Sequence, residues 1–429
     1  MRYSLRLLTA LSVNAVTSVF LCTYPVEAVV TDGLSIASEE VKIAQGEGSK
    51  QRRDEALRLS KLGMQQLNKG NWREALNNFE QALVIFQKNK DKAAIINNIG
   101  AVYLKLGEYD KALDYYQQSL AIKKQIGNKA DVATTLINIG AVHLNLGEYA
   151  QALDYFQEAL AVYKQVGNKG VVAITLTGIG LVYLYLGEYP QALDYFQKSL
   201  AIKKQNKTGV GTTLTNIGEV YRKLGEYTKA LNYYQDSLAI RKKIGNKAGI
   251  GTILNNIGEV YRKLGEYAKA LDYYKQALAF KKQIGNTAGV GATLNNIGNV
   301  YLKLGEYAKA LNYYQQSLVI NKQIGKKAGV GTTLKNIGRA YNITDKYPDA
   351  EKNLFAAIEV LESLRKKLTD NQKISIFDIQ AETYHFLQEA LIAQNKTTTA
   401  LEISERSKAR ALVELLSSKQ NPKKKTNKY

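Results

Sequence analysis

One glycine recurs along the sequence at a nearly constant interval, and this repetition constrains the fold more than any other feature. It occupies positions 100, 140, 180, 218, 258, 298 and 338, with steps of 40, 40, 38, 40, 40 and 40 residues. A fixed interval of roughly 20 to 50 residues is typical of solenoids, in which each copy packs on its neighbours. A divergent first copy around Gly63 brings the number of copies to eight.

Each copy has the pattern of two helices joined by a short turn. In the copy at 294–333, apolar residues recur at the three-and-four spacing of one buried helical face. The turn at 305–307 interrupts this spacing, and a second apolar stripe follows it. We therefore predict a helical hairpin, whose two stripes are Leu294, Ile297, Val300, Tyr301 and Leu304, then Ala310, Leu311, Tyr314, Leu318 and Ile320.

Small residues at two positions of each copy allow the two helices to approach closely. In the sixth copy these are Gly258 and Ala270, and Tyr261 and Tyr274 fill the space between the helices. With Gly258 as the eighth consensus position, these residues and Ala277 fall on the signature positions of the tetratricopeptide repeat, which the chain resembles. The longer period and the N-N-I-G opening are most similar to the extended repeats of kinesin light chains and of G-protein-signalling modulators.

This resemblance implies an all-α fold, a right-handed superhelical solenoid of antiparallel helix pairs. It covers residues 57–367, which we expect to form eight tetratricopeptide hairpins. Residues 368–418 then form a degenerate capping hairpin, with helices at about 374–394 and 398–416, and residues 419–429 are predicted to be a basic disordered tail. The proline that usually ends the repeat is absent, and Gly-Asn-Lys linkers replace it.

The beginning of the chain has the pattern of an export signal. Arg2 and Arg6 precede an apolar run at 7–21, and small residues at 26–28 offer a cleavage site. The run is short for a membrane span. We predict that 1–28 is a signal peptide for export to the periplasm or the extracellular space, with an uncleaved membrane anchor as the alternative. Residues 29–56 are predicted to be a linker.

The stretch at 400–412 adds a second resemblance. Its sequence ALEISERSKARAL resembles the helix that, in cyanobacterial proteins combining these repeats with a CHAT domain, leads into that caspase-like peptidase. We expect the peptidase domain, with its His and Cys dyad, to be missing from this chain.

Positive charge recurs at fixed places in the copies and gives a net charge of +21. We predict that stacking of the copies aligns these lysines into a basic edge. The edge either complements helix dipoles and keeps the array soluble, or binds an anionic protein or lipid surface. Sequence-specific nucleic-acid binding is not expected, because arginines and aromatics are not interleaved. The lysines are Lys123, Lys124, Lys203, Lys204, Lys242, Lys243, Lys281 and Lys282 at the ends of the second helices, and Lys129, Lys169, Lys207 and Lys247 in the linkers.

The resemblance also places the first helix of each copy along a concave groove, with six consensus positions exposed there. The sixth position is asparagine in all regular copies but one, where Gly178 replaces it. A carboxamide both donates and accepts hydrogen bonds, which suits an extended peptide backbone. The alternative is internal duplication, which copies residues whether or not they are useful. We call these residues the asparagine ladder: Asn98, Asn138, Asn216, Asn256, Asn296 and Asn336.

Two halves of the predicted groove differ in chemistry. The apolar half has leucines and one tyrosine, and the charged half has glutamates and arginines. We predict a ligand with hydrophobic side chains at one end and ionic ones at the other. The residues are Leu104, Leu144, Leu184 and Tyr185 in the apolar half, and Glu219, Arg222, Glu259 and Arg262 in the charged half.

No pattern in the sequence indicates catalysis. The histidines are His143 and His385, and His143 replaces a tyrosine of the other copies; the one cysteine, Cys22, excludes an internal disulfide. We expect no active site, no metal and no cofactor. The chain is predicted to be a non-catalytic scaffold that binds an extended peptide or a partner domain in the groove. The alternative is the sensor arm of a caspase-like CHAT peptidase system, truncated or working with a separately encoded peptidase.

Overall fold

The computed structural model describes residues 47–69, 71–86, 89–203, 207–365 and 370–420. These residues contain eighteen α-helices and no strand. They divide into two units, Met1–Gly245 and Asn246–Tyr429, which we call the N-terminal and C-terminal units and describe separately. The predicted signal at 1–28 lies outside the described residues.

The described part of the N-terminal unit contains five helical hairpins. The first helix of each hairpin, here called the A helix, packs on the second, or B helix, and each B helix packs on the next A helix. The A and B helices alternate in the order α1 Glu47–Lys69, α2 Trp72–Ile85, α3 Asn89–Leu106, α4 Tyr109–Ile126, α5 Lys129–Leu146, α6 Tyr149–Val166, α7 Lys169–Leu186, α8 Tyr189–Ile202, α9 Lys207–Lys223 and α10 Tyr227–Lys243.

The C-terminal unit continues the pattern with four hairpins. They are the sixth to the ninth, and consecutive helices again pack on one another. The ninth is the predicted capping hairpin. The helices are α11 Lys247–Lys263, α12 Tyr267–Gln283, α13 Thr287–Lys303, α14 Tyr307–Gln323, α15 Lys327–Ile343, α16 Tyr347–Arg365, α17 Asp370–Ala393 and α18 Thr397–Gln420.

A glycine of the A helix and an aromatic side chain of the B helix meet inside most hairpins. A Cβ atom added to Gly258 would lie 2.9 Å from the ring of Tyr274, so only glycine leaves room for this ring. The rings themselves are fully buried. The predicted close approach of the two helices is therefore confirmed, and the all-α fold with it.

Glycine also ends the helices. Gly107 adopts a φ of 77°, which an L side chain rarely takes. The amide of Glu108 then donates to the carbonyl of Tyr103 at 3.0 Å, which satisfies an open carbonyl at the helix end. Asn128 begins the next A helix, because its side chain accepts from the amides of Ala130 and Asp131. The boundaries of the hairpins thus follow from local sequence.

One predicted boundary is wrong. The linker was expected to extend to residue 56, but α1 begins at Glu47. The cause is that Ala56 and Leu59 are buried, and the mostly charged residues at 50–55 contain no glycine or proline that would end the helix before them. At the other end, α18 continues to Gln420 and so includes the first two residues of the predicted tail. Residues 29–46 and 421–429 lie outside the described residues.

Helix α7, Lys169–Leu186, is the one helix in the described part of the chain with the length and apolar composition of a membrane span. It is the A helix of the fourth hairpin and packs on α6 and α8. Because 61% of it is buried inside the protein, its composition is that of a core helix.

Candidate functional site: the A-helix face

The asparagine ladder is less exposed than the sequence suggested. Asn98, Asn138 and Asn216 are buried in the N-terminal unit, with at most 6% of their surface exposed, and Asn336 is buried in the C-terminal unit. Asn256 and Asn296 are half-buried. The expected exposure is thus wrong for four of the six residues. The reason is that A helices of consecutive hairpins contact each other within each unit, so the sixth position faces a neighbouring helix.

Three ladder residues form hydrogen bonds between hairpins. The amide nitrogen of Asn138 donates to Oδ1 of Asn97 at 3.2 Å. The equivalent bond of Asn336 to Asn295 measures 3.1 Å. The bond of Asn296 to Asn255 is longer, at 3.4 Å, and therefore weaker. In these hairpins the ladder joins successive A helices.

Other ladder residues have buried atoms without a partner among the described residues. Both polar atoms of the Asn216 side chain are in this state, as are Oδ1 of Asn98 and Nδ2 of Asn256. An unpartnered buried amide costs free energy. The ladder asparagines therefore differ in their hydrogen bonding, although the same residue type recurs.

The predicted apolar half of the groove is part of the core. Leu104, Leu144 and Leu184 are 3%, 4% and 6% exposed. The ring of Tyr185 stacks on that of Tyr149 with centroids 6.0 Å apart, and burial raises the pKa of its hydroxyl. The prediction that these side chains line an open surface is wrong for the three leucines, because neighbouring A helices cover them. Tyr185 is half-buried.

The predicted charged half forms two closed networks. In the fifth hairpin, Nε of Arg222 donates to Glu219 at 2.7 Å, and the hydroxyl of Tyr234 donates to the same carboxylate at 2.9 Å. Glu219 is 3% exposed. Burial, and then the charge of Glu219, raise the pKa of Tyr234. The carboxylate of Glu219 is thus hydrogen-bonded to both Arg222 and Tyr234 inside the hairpin.

The sixth hairpin repeats this network with more exposure. Arg262 donates to Glu259 at 2.8 Å through Nε, and Tyr274 donates to Glu259 at 2.9 Å. Glu259 and Arg262 keep 24% and 20% of their side chains exposed. The hydrogen bond to Glu259 raises the pKa of Arg262, so the pair is held as an ion pair.

A match between two positions explains these networks, and sequence reasoning missed it. Hairpins with tyrosine at the packing position of the B helix carry glutamate or asparagine at the ninth position of the A helix. In the seventh hairpin, for example, the hydroxyl of Tyr314 donates to Asn299 at 2.7 Å. Hairpins with Phe156 or Phe196 carry an apolar residue there. The second hairpin departs from this rule, because Ala101 leaves the buried Tyr116 hydroxyl without a partner. Comparing the internal copies position by position reveals the match.

The predicted basic edge also needs a correction. Lys123, Lys203 and Lys281 are 5%, 7% and 1% exposed, because their position in the B helix faces the next A helix. Nζ of Lys203 donates to Thr177 at 2.9 Å and to Thr213 at 3.2 Å.

The remaining lysines of the edge are exposed where the structure describes their side chains. Lys124, Lys129, Lys169, Lys242, Lys243, Lys247 and Lys282 are exposed. Lys204 and the side chain of Lys207 lie outside the described set.

The buried lysines have perturbed acid–base behaviour. Burial lowers the pKa of Lys203 to about 7. Burial also lowers the pKa of Lys123 to about 8, while the charge of Asp131 acts in the opposite direction. Nζ of Lys123 donates to Thr135 at 2.9 Å. Hydroxyl groups rather than carboxylates therefore hold these amines.

The A-helix face of the C-terminal unit keeps polar groups at its surface. Asn299 and Arg339 are half-buried there, as are Asn256 and Asn296. The guanidinium of Arg339 lies 5.5 Å from the centroid of the Phe386 ring. Arg339 makes no ion pair among the described residues. At this place on the face, a guanidinium is therefore not neutralised by a described carboxylate.

The two histidines lie in different units and have different neighbours. His143 stacks on Tyr155 with centroids 5.3 Å apart, and its Nδ1 lies 2.6 Å from Glu148. His385 is exposed, 3.2 Å from Glu389. No group of three His, Cys, Asp or Glu residues suited to a metal occurs among the described residues. Cys22 lies outside them.

A family comparison matches most of the chain. The model of the tetratricopeptide repeat matches residues 54–125, 131–205, 209–283 and 289–363. These segments together make up more than half of the sequence. A search of curated proteins found no match.

Solved structures share the fold at low sequence identity. A signal-transduction ATPase with a tetratricopeptide repeat sensor from Pyrococcus horikoshii is 16% identical with a TM-score of 0.60, and the alignment covers 88% of this chain and 55% of that one. The apo quorum sensor NprR from B. thuringiensis is 17% identical with a TM-score of 0.56, covering 84% and 98%. The apo form of RapI is 19% identical with a TM-score of 0.51, covering 63% and 99%.

Proposed function

This chain belongs to the tetratricopeptide repeat family, and we propose that it is a non-catalytic protein-interaction scaffold whose C-terminal unit holds an extended peptide. The observation that carries this proposal is the half-exposed pair Asn256 and Asn296. They occupy equivalent positions on two neighbouring A helices, α11 and α13, which contact each other. The buried members of the ladder cannot take this role without opening the protein.

The surroundings of the pair suit a peptide backbone. The bond from Asn296 to Asn255 is 3.4 Å long, so a ligand carbonyl can replace it at small cost. Glu259 and Arg262 flank the pair with partly exposed side chains. A peptide bound here meets carboxamides for its backbone and an ion pair at its side.

The charge of the face indicates which peptide fits. Glu259 neutralises Arg262, whereas Arg339 makes no ion pair among the described residues. Burial raises the pKa of the Tyr314 hydroxyl. The positive charges of both arginines act in the opposite direction, which places them near this hydroxyl. We expect the preferred peptide to carry an acidic side chain.

The test is selection of a peptide from a displayed library with the full chain, followed by titration of the synthetic peptide. Asn256→Ala combined with Asn296→Ala should weaken binding about 5- to 150-fold, because each lost hydrogen bond contributes roughly 0.5 to 1.5 kcal/mol. The matched control is Asn232→Ala combined with Asn312→Ala, which removes two exposed carboxamides from B helices. Thermal melts of all variants separate binding from stability.

Unchanged affinity of the ladder variant contradicts the proposal, and so does equal weakening in the control. A library from which the chain selects no peptide also contradicts it. The comparisons provide no support for the alternative function, a sensor arm of a caspase-like peptidase system, which stays a prediction from the sequence.

A further inference from the structure

The turns between hairpins lie along one edge of the N-terminal unit. Each B helix ends there and the next A helix begins, so successive turns stand side by side in the stack of hairpins. We define the connecting edge as residues 124–129 and 164–169 with the last turn of α10. The opposite edge contains the turns within hairpins, between each A helix and its own B helix.

The connecting edge carries positive charge that is not neutralised. Its lysines are exposed and make no ion pair among the described residues. The carboxylate of Asp131, two residues after Lys129, accepts from Asn128 at 2.8 Å, and its charge raises the pKa of the buried Lys123. The exposed lysines are Lys124, Lys129, Lys164, Lys169, Lys242 and Lys243.

The opposite edge of the same unit is neutral by comparison. Lys111 pairs with Glu108 at 2.6 Å and lies over the ring of Tyr103. Lys229 pairs with Glu226 at 2.5 Å. Lys223 on this edge is exposed and makes no ion pair among the described residues. The connecting edge therefore differs in having all six of its exposed lysines unpaired there, whereas the opposite edge pairs Lys111 and Lys229 with carboxylates.

Aliphatic side chains project among these lysines. Ile126 and Val166 are 42% and 52% exposed. Each follows a lysine by two residues and precedes another by three, in the sequences KQIGNK and KQVGNK. An aliphatic side chain surrounded by lysines is the chemistry of protein surfaces that enter the headgroup region of a bilayer.

We propose that the connecting edge docks on an anionic lipid bilayer. The lysines face the headgroup phosphates, where each contributes favourably at a negatively charged surface, and Ile126 and Val166 enter the boundary between headgroups and acyl chains. A nucleic acid fits this edge less well, because it would need aromatic or arginine side chains for stacking. Tyr163, which directly precedes Lys164, is buried and donates to the carbonyl of Ala130.

Sedimentation of the full chain with vesicles tests the charge. The probes are phosphatidylcholine vesicles with and without phosphatidylglycerol, at low salt and at about 0.5 M salt. Lys124→Gln with Lys164→Gln should weaken binding to the anionic vesicles about 30-fold, because each lysine near such a surface contributes about a factor of five. The control, Lys111→Gln with Lys229→Gln, removes the same charge from the opposite edge and should change binding less than about twofold.

A second pair of variants tests the aliphatic side chains. Ile126→Gln with Val166→Gln should weaken vesicle binding about tenfold without altering net charge. Its control, Leu186→Gln with Leu224→Gln, changes side chains that are 45% and 42% exposed in the turns of the opposite edge, and should have no effect. The N-terminal apolar segment is the same in every variant, so it does not contribute to these differences.

Equal binding to neutral and anionic vesicles overturns the proposal, as does an equal loss in a variant and its control. A third result also overturns it: the lysine variant loses vesicle binding, the aliphatic variant keeps it, and a single-stranded oligonucleotide binds with the same dependence on the lysines. That result assigns the edge to soluble polyanions.

Discussion

The hydroxyl of Tyr234 donates a 2.9 Å hydrogen bond to Oε2 of Glu219, and this bond joins the B helix of the fifth hairpin to its A helix. Both residues are buried. In the second hairpin the equivalent tyrosine, Tyr116, faces Ala101 and its buried hydroxyl has no partner. The same tyrosine hydroxyl therefore contributes to stability in the fifth hairpin and reduces it in the second.

Removal of the two hydroxyls should have effects of opposite sign. Tyr116→Phe should raise the free energy of unfolding by about 1 kcal/mol, because it removes an unpartnered polar group. Tyr234→Phe should lower it by about 1.5 to 3 kcal/mol, because the buried carboxylate of Glu219 loses a donor. Urea unfolding of both variants, with hydrogen exchange to locate the effect, makes the comparison. A loss of stability in both variants would contradict the assignment.

Two ladder asparagines should likewise differ. Asn138→Ala should lower the free energy of unfolding by about 1 kcal/mol, since it removes the bond to Asn97. Asn216→Ala should leave it unchanged or raise it, because the Asn216 side chain has no partner among the described residues and alanine is the better helix former. Thermal melts of the two single variants measure these two effects. An equal gain in both variants would mean that the asparagines act through helix propensity alone, and an equal loss would contradict the expected difference.

Lys203 should make stability depend on pH. Its pKa is about 7 in the folded protein and 10.5 in an unfolded chain, so between these values the unfolded state binds one proton more than the folded state. Stability should therefore rise with pH from about 7 upward, by about 1.4 kcal/mol per pH unit from this group. Lys123 should add a similar rise from about pH 8.

Lys203→Met removes the contribution of Lys203 and should stabilise the protein at pH 7, while Lys242→Met, at an exposed site, should keep the slope. Urea unfolding at several values between about pH 7 and pH 8.5 measures this slope, because tyrosines with an ordinary pKa near 10 stay almost fully protonated in that range. An unchanged slope in Lys203→Met would show that the amine is not buried in solution.

Two glycines of helix α9 should respond differently to alanine. A Cβ atom at Gly211 would meet its nearest neighbour, Ile240, at 3.5 Å, which is an ordinary contact. At Gly218 it would lie 2.8 Å from the Tyr234 ring. Gly211→Ala should thus stabilise by about 0.5 to 1 kcal/mol, and Gly218→Ala should destabilise by about 1 to 3 kcal/mol. Hydrogen exchange should confine both effects to the fifth hairpin and its neighbours, and a uniform change throughout the chain would contradict this.

The sequence by itself determined the parts of this protein that depend on local physical chemistry. The spacing of Gly100 to Gly338 predicts the hairpins, because a glycine in a helix marks a close approach and recurs once per copy. The turn glycines and the Asn128 cap fix where helices end, because their preference for left-handed or capping conformations does not depend on the rest of the chain.

Only the tertiary structure decided which side chains reach the surface. Asn138 and Asn256 occupy the same position of the repeat, yet the first is buried and the second half-exposed. Lys123 and Lys124 are adjacent in sequence, yet one lies between hairpins and the other in solvent. The helical period assigns a residue to a face of its helix, but burial of that face depends on how closely the neighbouring helix packs.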